Sequence, residues 1–223
     1  WRYENFNWSA QGWNVSIRGE GGVLIEGTFK LPGEHNLENL LLAVAMASHS
    51  GVDPLVIGNS LSALRGAPGR LEKIERGQDF SVLIDYAHTP DAVTRVLDTI
   101  RKMGSQRIIG VLGCGGNRDK TKRAPMGAAL RHGCDLAIFT SDNPRDEDPE
   151  SILHEMAKGI RLDESAMVVV DRREAIATAI TSAHAGDVVI VLGKGHETGQ
   201  EIKGVTLPFD DREELIRAIE ALT

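Results

Sequence analysis

The sequence predicts an α/β protein built on a doubly wound, mostly parallel β-sheet. Five short apolar runs alternate with helical patterns, and these predicted strands lie at 80–85, 107–112, 136–140, 167–170 and 187–192. Most of these runs are apolar at nearly every position, as is typical of strands covered on both faces. Repeated strand–helix units of this kind place helices on both sides of a parallel sheet.

The first 66 residues follow a different pattern. Residues 13–17 alternate between apolar and polar side chains, a glycine-rich turn follows at 19–22, and residues 23–29 can complete a hairpin. A helical run ends at Ser50, and Asp53 with Pro54 is typical of the start of a second helix, which we expect to reach about Leu64. We therefore expect a hairpin and two helices here, without a sheet of their own.

Residues 65–70 are the best candidate for a linker, because two glycines and a proline separate a helical pattern from a strand pattern. The predicted domains are therefore residues 1–66 and 67–223. In the second domain Thr89 is the expected cap and Pro90 the first residue of a helix. The predicted helices there are 90–103, 122–132, 149–159, 172–184 and 211–222.

Charge and composition exclude some classes of protein. The 223 residues carry a formal net charge of -7, whereas a surface that binds nucleic acid is usually basic. No apolar run approaches the roughly 20 residues that cross a membrane, and no signal peptide opens the chain. Cys114 and Cys134 lack the spacing of a metal site, so we expect reduced thiols in a cytoplasmic protein.

Polar and glycine residues follow three of the predicted strands. Asp142, Asn143 and Arg145 come directly after one strand, a glycine-rich stretch with Arg118 follows the second, and residues 193–197 follow the third. Ligands of open parallel sheets lie outside the carboxyl ends of the strands. The three loops are therefore expected to surround a small ligand that carries both signs of charge. The alternative is that they are ordinary solvated loops.

Individual motifs narrow the chemistry further. The glycine-rich stretch lacks the order G-x-x-x-x-G-K-[ST], so it is not a phosphate-binding P-loop. A nucleophilic Cys114 has no base near it in the sequence, and His196 with Glu197 makes a poor zinc site. Asp85 ends an apolar strand without an evident structural reason, which favours contact with a ribose or a metal-bound water.

Several ordered motifs together resemble the Mur ligase family. They are Pro32-Gly33 with His35-Asn36 and Asn39, the Gly69-Arg70-Leu71-Glu72 linker, Asp85-Tyr86-Ala87-His88-Thr89-Pro90-Asp91, Gly115-Gly116-Asn117-Arg118, Asp142-Asn143-Pro144-Arg145 and Lys194-Gly195-His196-Glu197. The resemblance spans nearly the whole chain. It implies a Rossmann-like C-terminal domain at 67–223, preceded at 1–66 by the end of the family's central ATP-binding domain.

Within the family, residues 142–145 resemble the signature of the ligases that add meso-diaminopimelate to UDP-N-acetylmuramoyl-L-alanyl-D-glutamate. This resemblance implies an enzyme of peptidoglycan precursor synthesis, and so of cell shape and division, that acts as a monomer in the cytoplasm. ATP and Mg²⁺ would convert the D-glutamate side-chain carboxylate into an acyl phosphate, which the amino group of diaminopimelate then attacks.

The resemblance also implies roles for particular residues. Those expected to bind meso-diaminopimelate are Arg118, Asp142, Asn143, Pro144, Arg145, Gly193 and Glu197. Those expected to bind ATP are Asn36, Asn39, Arg70 and Asp85. The catalytic residues, the P-loop and a carbamylated lysine near Mg²⁺ are expected upstream of Trp1, so the chain alone is expected to be inactive and to hold no metal.

Two alternatives remain open at this point. One is a ligase of the same superfamily that adds lysine or glutamate, although a lysine-adding enzyme has no distal carboxylate for Arg145 to bind. The other is a non-catalytic α/β domain that captures a free amino acid. The absence of a P-loop from these residues fits the second alternative, whereas the linker and ATP-side motifs do not.

Overall fold

The computed structural model describes residues 1–9, 11–105 and 107–222, without the side chain of His35. The chain divides into two compact units, Trp1–Gly66 and Ala67–Thr223. This division coincides with the boundary that the linker pattern predicts. The assignment of the first unit to a central ATP-binding domain stays a prediction.

The first unit contains a three-stranded antiparallel sheet in the order β1-β2-β3, followed by two helices. The strands are β1 (Arg2–Ser9), β2 (Gly12–Arg18) and β3 (Leu24–Phe29), and the helices are α1 (Glu34–His49) and α2 (Pro54–Ser60). The predicted hairpin is confirmed, but the expectation that this region has no sheet of its own is wrong. Strand β1 escapes pattern analysis because it buries no apolar face. Its Phe6 and Trp8 rings instead contact Trp13 of β2, with centroids 6.0 and 5.2 Å apart.

Helix α1 packs its apolar side against this sheet. Leu37, Leu40 and Val44 are buried in one cluster with Ile17 and Ile25 of the strands. The positions three and four residues apart lie on one face of a helix, which is why these three residues share the core.

The second unit is a six-stranded sheet in the order β4-β5-β9-β6-β7-β8. Strand β4 is antiparallel to β5, and the other neighbours are parallel, so the predicted doubly wound, mostly parallel fold is confirmed. The strands are β4 (Glu72–Ile74), β5 (Ser81–Asp85), β6 (Ile108–Leu112), β7 (Leu136–Phe139), β8 (Ala166–Val168) and β9 (Val188–Leu192). The helices are α3 (Pro90–Lys102), α4 (Arg123–Gly133), α5 (Pro149–Met156), α6 (Arg172–Thr181) and α7 (Asp211–Glu220).

Helices cover both faces of the sheet. Helices α3, α4 and α5 share one buried cluster with Val188, Ile190 and Leu192 of β9, whereas α6 and α7 share the other with Val189 and Val191. Successive side chains of a strand point to opposite faces, and both faces of β9 are buried here. This explains why its sequence is apolar at every position.

Two features of the second unit are not evident in the sequence. Strand β4 at the sheet edge has only three residues, and a hairpin formed by β10 (Gly199–Ile202) and β11 (Val205–Pro208) follows β9. The residues of β11 are all exposed, so burial imposes no alternation on them. Within the described part of the chain, no helix combines the length and the apolar character needed to cross a membrane.

Candidate functional site

Three loops lie at one edge of the six-stranded sheet. They are the glycine loop (113–119) after β6, the 140s loop (140–148) after β7 and the 190s loop (193–198) after β9. Strands β9, β6 and β7 are adjacent and parallel, so their carboxyl ends lie side by side. The polar residues that the sequence singles out in these loops are therefore neighbours.

Asn143 bonds to both of the other loops. The residue is buried, and its Nδ2 donates to Glu197 Oε2 at 3.0 Å. Its Oδ1 accepts hydrogen bonds from Lys194 Nζ at 3.1 Å and from the backbone N–H of Glu201 at 2.9 Å. Its backbone carbonyl accepts from the N–H of Gly116 at 2.8 Å. Asn143 thus connects the 140s loop with the glycine loop and the 190s loop.

Lys194 is a site residue that sequence reasoning did not assign to the site. Its side chain is 0% exposed. The Nζ atom donates to Asn143 Oδ1, to Glu197 Oε2 at 3.0 Å and to the carbonyl of Gly199 at 2.6 Å. A lysine ammonium has three N–H groups, so all three are used inside the protein. The sequence offered only a weak signal, because a lysine just after a strand is more often exposed.

Glu197 is the partly open carboxylate of this cluster. Burial raises the pKa of its carboxyl, but hydrogen bonds from Lys194 and Asn143 and the charges of Lys194 and Arg172 outweigh that effect, so the pKa lies below its usual value. The side chain is 35% exposed. An ionised carboxylate in this position is suited to bind the ammonium group of a ligand.

Asp142 supplies a second carboxylate next to the 190s loop. Its Oδ1 accepts the N–H of Asn143 at 2.7 Å, and its backbone carbonyl accepts from Gln200 Nε2 at 2.7 Å. A Cβ atom on Gly193 would lie 2.9 Å from Asp142 Oδ2, and the φ angle of Gly193 is +106°. Any side chain at position 193 would therefore be strained and would displace the carboxylate.

Arg145 lies between the glycine loop and the β10–β11 hairpin. Its Nε forms an ion pair with Glu201 Oε2 at 2.9 Å, and its Nη1 donates to the carbonyl of Gly116 at 2.8 Å. The side chain is 19% exposed, and the φ angle of +51° is unusual for a residue with a side chain. The backbone holds this conformation because the N–H of Arg145 donates to Glu201 and its carbonyl accepts from Lys203.

Among the described residues, neither of the adjacent acids Asp146 and Glu147 pairs with Arg145. Asp146 Oδ2 accepts from Asn117 Nδ2 at 2.7 Å. Glu147 accepts from Arg123 through both oxygens, at 2.8 and 2.9 Å. Both acids therefore hold the glycine loop and α4 rather than Arg145.

The glycine loop is fixed to the 140s loop by Glu147. Hydrogen bonds from the buried Arg123 and from the backbone N–H of Asn117 lower the pKa of Glu147 to about 2. A Cβ on Gly115 would lie 3.0 Å from Arg145 Nη1 and 3.5 Å from Arg118 Cγ. The two arginines therefore flank Gly115. Arg118 is exposed, and within the described residues its side chain forms no hydrogen bond or ion pair.

Arg172 at the start of α6 is a second cation that sequence reasoning missed. Its side chain is 0% exposed, and its Nε and Nη2 each donate to Asp211 at 2.7 Å. It also donates to the carbonyls of Ser141 at 3.3 Å and Leu192 at 3.0 Å. Arg172 thus binds the chain at the carboxyl ends of β7 and β9, from which two of the loops begin.

The structure shows why an acidic residue, Asp85, ends the apolar strand β5. Its carboxylate is buried and accepts the backbone N–H groups of Leu71 and Ala87, each at 2.8 Å. Its carbonyl accepts the N–H of Gly193 at 3.1 Å. The expectation that Asp85 ends its strand without a structural reason is therefore wrong. Its contact with ATP stays a prediction.

Arg70 lies in an aromatic cluster next to Asp85. Its guanidinium is 5.2 Å from the centroid of the Tyr86 ring, which also lies 4.6 Å from the His88 ring and 5.4 Å from the His196 ring. Gly69 has a φ of +69°, and a Cβ there would collide with the backbone of residues 195 and 196. The linker segment therefore packs directly on the 190s loop.

Asn36 and Asn39 lie in the first unit, near the start of α1. Asn36 Nδ2 donates to the carbonyl of Pro32 at 2.7 Å, and Asn39 is exposed. Residues three apart lie on one face of a helix, so the two amides share a face.

Pro144 of the 140s loop is buried and lines a groove of about 570 Å³, together with Val168, Val170 and Ile202.

The cysteines offer no reactive thiolate. Burial raises the pKa of Cys114 to about 12 and also raises that of Cys134. The thiolate is the nucleophilic form, so a nucleophilic role for Cys114 does not fit. The described residues contain no group of three or more histidine, cysteine or acidic side chains that could hold a metal ion.

Residues 69–195 match the family model described as "Mur ligase, glutamate ligase domain". The match covers more than half of the chain and includes the glycine loop and the 140s loop.

The chain belongs to the Mur ligase family.

Curated ligases resemble this chain over most of its length. The protein named UDP-N-acetylmuramoyl-L-alanyl-D-glutamate–2,6-diaminopimelate ligase from Streptomyces coelicolor is 44% identical over an alignment of 225 positions, which covers 99% of this chain and 44% of that protein. The ligase of the same name from Cytophaga hutchinsonii is 48% identical over 191 residues, 84% of this chain and 39% of that protein. The chain therefore spans less than half the length of these relatives.

Solved structures agree with this membership. A structure of a ligase with the same name aligns with a TM-score of 0.74 and 40% identity, over 99% of this chain and 45% of that one. A folylpolyglutamate synthase of Mycobacterium tuberculosis, complexed with ADP and AMPPCP, aligns with a TM-score of 0.66 at 22% identity, over 86% of this chain and 44% of that one. The second likeness is one of fold alone.

The structure thus brings most of the predicted amino-acid-binding residues of this Mur ligase to one edge of the sheet. Asp142, Asn143, Arg145 and Glu197 share hydrogen bonds, close contacts or partners. The burial of the two cations at this edge, Lys194 and Arg172, is not evident from the sequence, because their partners lie 3 to 51 residues away and only the fold brings them together.

Proposed function

We propose that the full-length protein containing this chain is an ATP-dependent ligase that adds meso-diaminopimelate to UDP-N-acetylmuramoyl-L-alanyl-D-glutamate in peptidoglycan precursor synthesis. Two observations support this proposal. The first is 44% identity along 99% of the chain to a relative that carries that name. The second, which carries the proposal, is an edge of the sheet that combines two carboxylates, an amide and two guanidinium groups on three adjacent loops.

The chemistry of diaminopimelate fits this edge. Each end of the molecule is a carboxylate beside an ammonium group, so the end that does not react needs partners of both signs. Glu197 and Asp142 provide anions for the ammonium, and Arg145 and Arg118 provide guanidinium groups for the carboxylate. In Arg145, Nε pairs with Glu201 and Nη1 donates to Gly116. Among the described residues Nη2 has no hydrogen-bond partner, so Nη2 is the nitrogen that we assign to the carboxylate.

The neutral residues complete this part of the site. The second N–H of the Asn143 amide is available for a carboxylate, since the first donates to Glu197. The N–H of Gly193 is used by Asp85, so Gly193 contributes its carbonyl oxygen. Pro144 contributes buried apolar surface next to these groups rather than a hydrogen bond.

The residues that the family resemblance assigns to ATP also suit an anionic ligand. Arg70 presents an exposed guanidinium over the Tyr86 ring, which suits a phosphate. The Asp85 carboxylate already accepts two backbone N–H groups. We therefore propose that its main role is to support the linker and that contact with the ribose of ATP is secondary. Asn36 and Asn39 are the proposed adenine contacts of the first unit. Bound ATP with Mg²⁺ would supply the phosphoryl group that activates the substrate carboxylate.

The experiment that tests this function uses the full-length protein. ADP release is measured with UDP-N-acetylmuramoyl-L-alanyl-D-glutamate, ATP and Mg²⁺, and with meso-diaminopimelate, lysine or glutamate as the added amino acid. We expect release to depend on meso-diaminopimelate. A clear preference for lysine or glutamate would overturn the assigned substrate. No release with any amino acid would support the alternative of a non-catalytic binding domain.

A further inference from the structure

The buried ammonium of Lys194 connects the two residues to which ligand binding is assigned. Its three N–H groups go to Asn143 Oδ1, Glu197 Oε2 and the carbonyl of Gly199. No N–H remains for a ligand, and the side chain is 0% exposed. Any effect of Lys194 on ligand binding must therefore act through these neighbours.

The first of these effects is on the orientation of the Asn143 amide. Two donors, Lys194 Nζ and the backbone N–H of Glu201, converge on Oδ1. A flipped amide would place its own N–H groups against both donors, so the flip is excluded. Lys194 thereby directs the Nδ2 group of Asn143 towards Glu197 and the open side of the site.

The second effect is on the Glu197 carboxylate. Lys194 and Asn143 both bond to Oε2, and within the described residues Oε1 has no hydrogen-bond partner. The cations that act on Glu197 are Lys194 on its own loop and Arg172 of α6. Asp142 and Asp211 are the acids that act on the same Arg172. Lys194 is thus the nearer of the two cations that keep Glu197 ionised.

We infer that Lys194 is a positioning residue, which orients the Asn143 amide and keeps Glu197 as a fixed anion for the ammonium of the incoming amino acid. The inference rests on the proposed function, because it assumes that these two residues bind that amino acid. It adds a residue that touches no substrate but determines how tightly the substrate is held.

The first test compares Lys194→Met with Lys158→Met in the full-length protein. Lys158 is exposed and serves as the matched control for the loss of one lysine charge. We expect Lys194→Met to raise the KM for meso-diaminopimelate on the order of 10- to 100-fold, since hydrogen bonds to charged groups carry differences of this size. The KM for ATP should change less than about threefold. Lys158→Met should leave both constants unchanged.

The pH profile separates positioning from a purely structural role. Without the nearby cation Glu197 should accept a proton at higher pH, so the acid limb of kcat/KM for meso-diaminopimelate should move up by about one pH unit or more. A merely destabilised protein would lose activity towards all substrates alike, with the acid limb in place. That outcome would overturn the inference.

A double variant covers the case in which Lys194→Met does not fold. In Lys194→Met/Glu197→Gln neither charge of the pair remains, so no unpaired buried ion is left. The double variant should have a KM for meso-diaminopimelate above that of Glu197→Gln alone only by the part that Lys194 contributes through Asn143. This increase should be smaller than the one that Lys194→Met causes in the otherwise unchanged protein, and an increase of the same size in both backgrounds contradicts the inference. So does a failure of both Lys194 variants to fold.

Failure of the proposed function can be told apart from failure of this inference. The former appears in the unmodified protein, as an absence of ADP release that depends on meso-diaminopimelate. The latter is tested without substrate, by following the ¹³C side-chain resonance of Glu197 against pH. A Glu197 titration that is the same in wild type and Lys194→Met overturns the inference, whichever amino acid the enzyme uses.

Discussion

Arg172 and Lys194 are both wholly buried cations at the carboxyl edge of the same sheet, but their partners differ in exposure. The carboxylate that pairs with Arg172, that of Asp211, is also 0% exposed, and the remaining donors of Arg172 go to backbone carbonyls. The partner of Lys194, Glu197, is 35% exposed. The first pair is closed, and the second is open on one side.

The difference separates support from binding. A closed pair has no polar group left for a ligand. The closed pair of Arg172 with Asp211 therefore stabilises the fold, by holding the ends of β7 and β9 in place. An open pair fixes a carboxylate but leaves one of its oxygens accessible. We therefore expect substitutions in closed pairs to change stability most, and substitutions around the open pair to change the KM of the amino acid most.

Arg172→Met breaks the closed pair and should have the largest effect. It leaves the Asp211 carboxylate buried without its partner, which typically costs about 3–5 kcal/mol of unfolding free energy. The neighbouring Arg173→Met is the matched control, because Arg173 is 59% exposed and its partner Glu214 keeps the hydrogen bonds from Arg217 when Arg173 is removed. Chemical denaturation of the 223-residue chain measures both. Equal losses in the two variants would contradict the distinction between closed and open pairs.

Arg145→Ala tests the open side of the site. Loss of a charge-assisted hydrogen bond of about 1.5–3 kcal/mol should raise the KM for meso-diaminopimelate on the order of 10- to 100-fold. Lysine has no distal carboxylate, so its use should change little, and Arg145→Lys should restore binding only in part. Steady-state kinetics of the full-length protein measures these constants.

Two further variants control for side effects of the Arg145 substitution. Arg145→Gly suits the φ of +51° and separates backbone strain from the loss of the guanidinium. Arg161→Ala removes a guanidinium whose side chain is 91% exposed, and it should have no effect. An unchanged preference between meso-diaminopimelate and lysine in Arg145→Ala would exclude a specificity role for the 140s loop.

Asp85→Ala removes a carboxylate that is closed by backbone groups. The N–H groups of Leu71 and Ala87 would lose their acceptor, at a cost of about 1–3 kcal/mol of unfolding free energy. The exposed Asp79→Ala is the control. If Asp85 also contacts ATP, the KM for ATP of the full-length protein should rise more than that for meso-diaminopimelate. An equal rise in both would show that the Asp85 carboxylate acts by holding the backbone at Leu71 and Ala87 rather than by contacting ATP.

Acid titration tests the Glu147 carboxylate, which fixes the glycine loop. The pKa of this carboxyl is about 2 in the folded chain, below the usual 4.5. A lowered folded pKa stabilises the protein above the usual value, and this contribution is lost as the pH falls from about 4.5 to 2. Glu147→Gln should therefore lose less stability than wild type between pH 5 and pH 2.5. Identical losses in the two proteins would show that Glu147 does not hold the glycine loop.

The sequence allowed most of the sheet and several site residues to be predicted. Strands such as Val188–Leu192 are buried on both faces, so they are apolar throughout and easy to recognise. Loop residues such as Asp142 and Arg145 stand out because they follow such strands directly. Strand β1 and the β10–β11 hairpin were missed, because exposed strands carry little alternation of apolar and polar side chains.

The sequence by itself determined the fold class, the division near residue 66 and the loops that carry the polar residues. These features depend on local patterns of apolar side chains, turn residues and helix caps, and such patterns can be recognised within a short segment of the sequence. Only the tertiary structure decided the partners: that Asp85 holds Leu71, that Arg145 pairs with Glu201, and that Lys194 lies buried between Asn143 and Glu197. Hydrogen bonds and ion pairs act over about 3 Å, and which charged groups come that close depends on how distant strands are ordered in the sheet.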